Sequence, residues 1–153
     1  MKNKQRYLVD ADGADATAMN AAIRIASFAA NEQNVPVSIL VDSLFSSFHP
    51  GENSSLTEIL PSNVINDLNS TTVANFDGTE IRAFETDNID SDVILRVSLA
   101  AYTSPQTLDL LEFRDDVEVI VAVPFLRSDC NEWERQYNPR LVALEDEDGV
   151  NVG

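Results

Sequence analysis

The sequence predicts an α/β domain with a mostly parallel sheet of about five strands between two helical layers, a three-layer Rossmann-like sandwich. Apolar, strand-like runs alternate with segments whose apolar residues recur at helical spacing, which is the pattern of strands joined by crossover helices. The run at residues 117–123 is apolar almost throughout, as is typical of a central strand covered on both faces. With 153 residues, the chain is expected to form one domain, residues 1–153, around a single core.

The first unit is a predicted strand at residues 6–10 followed by a helix at residues 15–31. Helical spacing places Met19, Ile23 and several alanines on one face, and small side chains would let this helix lie close to a sheet. A second strand is predicted at residues 35–41, with Pro36 near its start, where a proline is tolerated.

The middle of the chain predicts two short helices and two strand-like segments. A capping box at residues 55–58 begins a helix that Pro61 ends, and residues 62–69 form a second helix. Residues 79–84 and 93–99 are strand-like. The linker between them is too short for a full helical crossover, so either they pair as a hairpin or a single helical turn joins them.

The last third of the chain predicts a helix, a central strand, a further helix and a last short strand. Ser104 and Pro105 form a strong helix start, because a proline at the first helical position lacks only an N–H that has no partner in the helix. After the strand at residues 117–123, a short helix carries Trp133 and Tyr137. Residues 141–144 form a last short strand, and residues 145–153 form an acidic tail.

The charge of the chain excludes several classes of partner. The formal net charge of -16 opposes approach to DNA, RNA and anionic membranes, so no nucleic acid and no membrane are expected as partners. The only lysines are Lys2 and Lys4. This acidic, lysine-poor composition resembles that of proteins from halophilic organisms, which keep molar salt in the cytoplasm. Salt at that concentration shortens the electrostatic screening length to about 3 Å. The alternative is an acidic mesophilic or phage protein.

Cysteine usage and hydropathy indicate a cytoplasmic protein. Cys130 is the only cysteine, which excludes an intrachain disulfide and a cysteine-based zinc site. The apolar run near the N-terminus is too short for a signal peptide, and no run approaches the roughly 18 apolar residues of a membrane span. A reducing cytoplasm is therefore the expected location.

Carboxylates crowd the predicted turn between the first strand and the first helix. Asp10, Asp12 and Asp15 would lie beyond the carboxyl end of a strand, where open parallel sheets bind ligands. Because Mg²⁺ and Ca²⁺ take oxygen ligands, these three aspartates are candidate metal ligands and Mg²⁺ or Ca²⁺ the candidate cofactor. The structural alternative is that Asp15 caps the helix, Asp12 and Gly13 form the turn, and Asp10 is an edge carboxylate.

Residues 8–13 are similar to the first motif of haloacid-dehalogenase-type phosphatases, in which a strand ends in Asp-x-Asp-Gly. The resemblance implies two catalytic residues, Asp10 as nucleophile and Asp12 as general acid and base. It also implies that Ser43, after the second strand, is a phosphate-binding hydroxyl. Such enzymes use a lysine or arginine in a third motif, and this chain has no lysine past Lys4.

Two further resemblances concern the first quarter of the chain. The acidic turn resembles, one residue shorter, the metal-binding Asp-x-Asp-x-Gly-x-Asp-Asp turn of nucleoside hydrolases, which also implies Asp10, Asp12 and Asp15 as metal ligands. Residues 14–42, a small-residue helix followed by a strand, resemble the opening of DsrE-like sulfur-relay subunits.

Two functions of different class follow. The first is a ligand-binding or homo-oligomeric subunit without a complete catalytic set, in which Ser43, Thr103 and Ser104 contact a small molecule beyond the strand ends. The second is a divalent-metal-dependent hydrolase of a phosphorylated or nucleoside-like small molecule. Because the first two strands are expected to be parallel and adjacent, Asp10, Asp12 and Ser43 are expected in one crevice.

Overall fold

Strands and helices alternate along the chain in the computed structural model, which describes residues 4–11, 16–44, 48, 55–89, 92–102, 104–124 and 126–143. The strands are β1 (Gln5–Val9), β2 (Val37–Val41), β3 (Val73–Phe76), β4 (Thr79–Glu85), β5 (Val97–Ala101), β6 (Val119–Val123) and β7 (Arg140–Val142). The helices are α1 (Ala16–Gln33), α2 (Ser55–Ile59), α3 (Ser62–Thr71), α4 (Pro105–Phe113) and α5 (Asn131–Tyr137). Short 3-10 turns follow β4 at Thr86–Asn88 and precede α5 at Arg127–Cys130.

The strands form one seven-stranded sheet in the order β3-β4-β2-β5-β6-β1-β7. Every neighbouring pair is parallel except β3 and β4, which form an antiparallel hairpin. The predicted class is confirmed, but the expected count of about five strands is too low. The sequence prediction lacks β3, although Asp77 and Gly78 carry the signal for it: an Asp-Gly pair favours a two-residue hairpin turn, and both have positive φ, 54° and 83°.

Two hydrophobic cores cover the two faces of the sheet, which confirms three layers. Residues of α1, α2 and α3 pack on one face, and residues of α4 and α5 pack on the other. The buried residues of α3 recur at helical spacing and are Val64, Ile65 and Leu68. All five residues of β6 are buried, as predicted for a central strand, and the same is true of β2 and β5.

The strand-like segments at residues 79–84 and 93–99 do not pair with each other. They become β4 and β5, which lie on opposite sides of β2 and run parallel to it. β5 begins later than predicted because the residues before it are held by the turn between α4 and β6. The Leu95 N–H donates to Asp116 Oδ2 at 2.7 Å, and the Arg114 guanidinium donates to the Val93 carbonyl oxygen.

β1 and β2 are parallel but not adjacent, so the prediction of neighbouring strands is wrong. α1 packs across β5 and β6, and the crossover from β1 to β2 therefore passes over two strands. With strands spaced about 4.8 Å apart, the ends of β1 and β2 are roughly 14 Å apart. The apolar face of a helix indicates that it packs on a sheet but does not specify how many strands it crosses.

The sheet ends at β7, a three-residue strand parallel to β1. The predicted last strand at residues 141–144 is thus shifted toward the N-terminus, and Leu144 and the acidic tail at 145–153 lie outside the described residues. None of the described helices combines the length and the apolar character that crossing a membrane requires.

Candidate functional site

The carboxyl ends of β2 and β5 lie side by side, and the chain leaves these two strands toward opposite edges of the sheet. From β2 the chain passes through α2 and α3 on one face toward β4, and from β5 it passes through α4 on the opposite face toward β6. Open α/β sheets bind ligands at such a switch point, in the crevice beyond the strand ends. Ser43 follows β2 and Ser104 directly precedes α4, so the topology brings these two predicted residues to this crevice.

Side chains at the end of β4 and directly after it fix the carboxyl end of β2. Glu85 Oε2 accepts a hydrogen bond from the Leu44 N–H at 2.9 Å. The Thr86 hydroxyl donates to the Val41 carbonyl oxygen at 3.3 Å, and it accepts from the hydroxyl of Thr107, a fully buried side chain, at 3.3 Å. The ends of β2 and β4 are thereby tied to the first turn of α4.

The crevice displays hydroxyls and carboxylates. Partial burial, together with the charge of Asp87, raises the pKa of the Asp42 carboxyl above its ordinary value. Ser43 is half-buried. Ser104 occupies the N-cap position of α4, but its hydroxyl makes no capping hydrogen bond. These groups can exchange hydrogen bonds with a polar ligand, since hydroxyls both donate and accept and carboxylates accept.

Tyr102 is a residue at this edge that the sequence did not single out. Its backbone is left-handed, with φ at 58°, a conformation that costs a non-glycine residue about 1–2 kcal/mol. Its N–H donates to the Val123 carbonyl oxygen at 2.8 Å, which joins the end of β5 to β6 before the chain turns into α4. Strained backbone of this kind is concentrated at ligand sites, but an aromatic residue gives no sequence signal for it.

Asp10, the predicted nucleophile and metal ligand, lies directly after β1, at the carboxyl edge as expected, and it is ion-paired. Its Oδ1 accepts from Arg127 Nε at 2.8 Å, and Arg127 Nη2 contacts Glu134 Oε1 at 2.7 Å. The arginine supplies positive charge beside this carboxylate, as a bound cation would. Sequence analysis missed this partner because Arg127 is 117 positions away and follows a different strand.

Other predicted site residues fall outside the described part of the chain. These are Asp12, Asp15 and Thr103. Among the described residues, no group of three or more histidine, cysteine or acidic side chains is placed to hold a metal ion. The assignment of Asp12 and Asp15 as metal ligands therefore stays a prediction, as does ligand contact by Thr103.

Cys130 is buried at the start of α5, and burial raises the pKa of its thiol to about 11. Because the thiolate is the reactive species, we expect native Cys130 to react with a disulfide reagent at about pH 8 far more slowly than an ordinary thiol. Release of the coloured thiol product measures the rate. The same protein in concentrated guanidinium chloride is the control, and equal rates in the two states would contradict the burial of this side chain.

Two places on the carboxyl edge are thus candidates for function: the crevice between β2 and β5, and the Asp10–Arg127 pair after β1. Ser43 and Ser104 lie just beyond the ends of the neighbouring strands β2 and β5, whereas Asp10 is separated from Ser43 by β5 and β6. Comparison of the chain with protein-family models, with curated proteins and with solved structures found no match.

Proposed function

We propose that this protein is a ligand-binding α/β subunit that holds a small polar molecule at the carboxyl edge of its sheet, between β2 and β5. The observation that carries the proposal is the divergence of the two connections, which leave β2 and β5 toward opposite faces and opposite edges. Ser43 and Ser104 are the proposed contact residues, together with Thr103, which precedes Ser104 in the sequence.

The charges around the crevice favour a ligand without strong negative charge. Asp42, Glu85 and Asp87 lie at the ends of β2 and β4 or directly after them, and their charges would repel a phosphate or carboxylate. Hydroxyl or amine groups on a ligand would instead donate charge-assisted hydrogen bonds to these carboxylates. The proposed ligand class is therefore neutral or cationic small molecules that carry hydroxyl or amine groups.

A binding screen with chemical-shift mapping tests this proposal. The panel contains polyols, neutral sugars, amino sugars and polyamines, with the corresponding sugar phosphates as the opposing set. We expect a compound that raises the melting temperature to shift the backbone amide resonances of Ser43, Tyr102 and Ser104. Binding that shifts resonances only around Asp10, or that favours the sugar phosphates, would count against the proposal.

A double variant, Ser43→Ala with Ser104→Ala, separates direct contact from indirect effects. We expect it to keep the fold and to weaken binding of the same compound at least tenfold, the loss of about 1.4 kcal/mol that one or two hydrogen bonds provide. Ser70→Ala is the matched control, because Ser70 is exposed on α3, away from the crevice. Equal affinities for the two variants would exclude these hydroxyls as contacts.

The second candidate is hydrolysis of a phosphorylated small molecule at Asp10, and Arg127 is the observation that favours it. In haloacid-dehalogenase-type phosphatases a lysine or arginine accompanies the nucleophilic aspartate, and Arg127 stands 2.8 Å from Asp10. In this proposal Asp12 is the acid and base, and Asp10, Asp12 and Asp15 bind Mg²⁺ or Ca²⁺. Ser43 has no part in it, because β5 and β6 lie between the two strand ends.

The hydrolase candidate makes a metal-dependent prediction. At an ion concentration about a hundredfold above the dissociation constant, Mg²⁺ or Ca²⁺ should stabilise the wild type by about 2.7 kcal/mol at constant ionic strength. Asp10→Asn and Asp12→Asn should lose that gain, whereas Asp67→Asn, an exposed carboxylate on α3, should keep it. Thermal melts measure the difference, and equal stabilisation of all four proteins would show that these aspartates do not bind the ion.

A further inference from the structure

A groove runs along the outer side of α1, where that helix leaves part of the sheet uncovered. Two cavities of about 330 Å³ and 320 Å³ lie beside α1, and Arg24 and Ile25 line both of them. One extends to Val142 of β7, and the other extends to Tyr7 of β1 and to Phe28. Because they share two residues, they form one continuous surface between α1 and strands β1 and β7, which we call the α1 groove.

Phe28 is the apolar centre of this surface. Its side chain is 68 % exposed, although it lies in the same cavity as Ile25, Ala29 and Tyr7, which are partly buried. A large exposed aromatic side chain next to an apolar cavity is typical of an interaction surface. A partner that covers the groove would bury the ring of Phe28.

Opposite charges lie at equal spacing on the two sides of Phe28. Arg24 is four residues before it and Glu32 is four residues after it, so the three side chains share one face of α1. Arg24 and Glu32 are both exposed, and no ion pair joins either of them to another described side chain. A two-fold axis near Phe28 would relate two antiparallel α1 helices from two copies of the chain. Arg24 of each copy would then lie opposite Glu32 of the other copy.

We propose that a second copy of this chain covers the α1 groove, so that two α1 helices pack antiparallel around Phe28. Each Phe28 ring is then buried against the groove of the other chain, and Arg24 and Glu32 form two equivalent intermolecular ion pairs. The balanced arrangement of one cation and one anion about an aromatic residue fits a symmetric copy better than a partner of a single charge sign. Because each chain carries a net charge of -16, association is weak in dilute buffer and strengthens with salt.

The test is the association state of the full chain, measured by sedimentation equilibrium over a concentration series in about 2 M KCl. We expect the wild type to reach twice the 16.8 kDa mass of one chain. Phe28→Ser should weaken association at least tenfold. Phe113→Ser is the matched control, because Phe113 is 89 % exposed on α4, which packs on the opposite face of the sheet, and this variant should associate like the wild type.

Charge-reversal variants test the ion pairs between Arg24 and Glu32. They are compared at the lowest salt concentration at which the wild type still associates. Arg24→Glu and Glu32→Arg should each weaken association, and the double variant should restore it, because the exchanged charges again meet across the axis. Glu32→Arg is especially informative because it lowers the net negative charge. A general charge effect would strengthen association in that variant, whereas the two new pairs of facing arginines weaken it.

Several results would overturn the proposal. These are a wild type that stays monomeric at every concentration and salt level, a double variant that fails to restore association, and equal losses for Phe28→Ser and Phe113→Ser. If the chain is monomeric and deletion of residues 144–153 increases hydrogen exchange along α1, the C-terminal segment covers the groove instead of a second copy.

Discussion

Glu112→Ala is expected to destabilise the native state by about 3–5 kcal/mol, because it leaves a partly buried arginine without its counter-charge. Glu112 is in α4, its side chain is 6 % exposed, and its two oxygens accept from Arg6 Nε at 2.6 Å and Nη2 at 2.7 Å. The Trp133 indole N–H donates to the same carboxylate at 2.8 Å. Because alanine is a good helix former, the loss of stability reflects the lost contacts of Glu112 rather than a weaker helix.

This network joins three elements on one face of the sheet. Arg6 is in β1, Glu112 is in α4 and Trp133 is in α5, and the Arg6 guanidinium also lies 4.7 Å from the centre of the Tyr137 ring. The hydrogen-bonded carboxylate of Glu112 raises the pKa of Arg6 further, so this arginine keeps its charge at every ordinary pH. Removing Glu112 therefore cannot be relieved by deprotonation of its partner.

Urea unfolding followed by the fluorescence of Trp133, the only tryptophan, measures the effect. Glu80→Ala is the matched control: Glu80 lies 2.6 Å from Arg82, but both side chains are more than one-third exposed, and its loss should cost at most about 1 kcal/mol. The stability lost in Glu112→Gln should lie between the losses in Glu112→Ala and Glu80→Ala, because the amide oxygen of glutamine still accepts hydrogen bonds. Equal losses for Glu112→Ala and Glu80→Ala would mean that the network adds nothing beyond a surface ion pair.

The elements that form this network were predictable, but their contact was not. Apolar spacing and the Ser104-Pro105 start predict α4, and an apolar run predicts β1. Arg6 and Glu112 are 106 positions apart, and periodicity within each segment does not state which helix packs over which strand. The same reason explains why the pairing of Asp10 with Arg127 was missed.

Strand order is the part of the fold that local patterns could not supply. The expectation that β1 and β2 are neighbours follows from the usual adjacency of consecutive strands, but β5 and β6, formed later in the chain, insert between them. β3 was missed because only Ala74 of its four residues is buried, so it lacks the apolar run of a central strand. Edge strands have little apolar pattern, and turn residues are then the better signal.

The same distinction between local sequence pattern and tertiary contact applies to the candidate site. Each residue of the crevice could be predicted singly, because Ser43 and Ser104 follow recognisable strands and ligands bind beyond strand ends. Their association at one switch point depends on β2 and β5 being neighbours, which only the tertiary structure provides. The left-handed backbone of Tyr102 likewise follows from the contact between β5 and β6 rather than from its own sequence.

The second large effect is expected from salt: the melting temperature should rise by about 10 °C or more between about 0.1 M and 2 M KCl. The chain carries a formal net charge of -16. Neighbouring like charges on a surface destabilise by about 0.2–0.5 kcal/mol per pair, so an excess of this size amounts to several kcal/mol of repulsion. Each kcal/mol corresponds to about 2–4 °C for a domain of this size. Arg82, Arg96 and Arg114 already have acidic partners, so they cannot offset the remaining carboxylates.

A local variant distinguishes screened repulsion from a general effect of salt on solvation. Partial burial and, second, the charge of Asp87 raise the pKa of Asp42, so ionised Asp42 is less favourable in the native state than in the unfolded chain. This destabilisation is fully present above the native pKa and disappears as the pH falls below the unfolded value. Asp42→Asn should therefore melt at a higher temperature than the wild type at neutral pH and about 0.1 M KCl. The part of this gain that comes from the charge of Asp87 should disappear toward 2 M KCl, the part that comes from burial should remain, and both should disappear at acidic pH. A wild-type melting temperature that does not change across the salt series would show that these charges do not limit the stability of the fold.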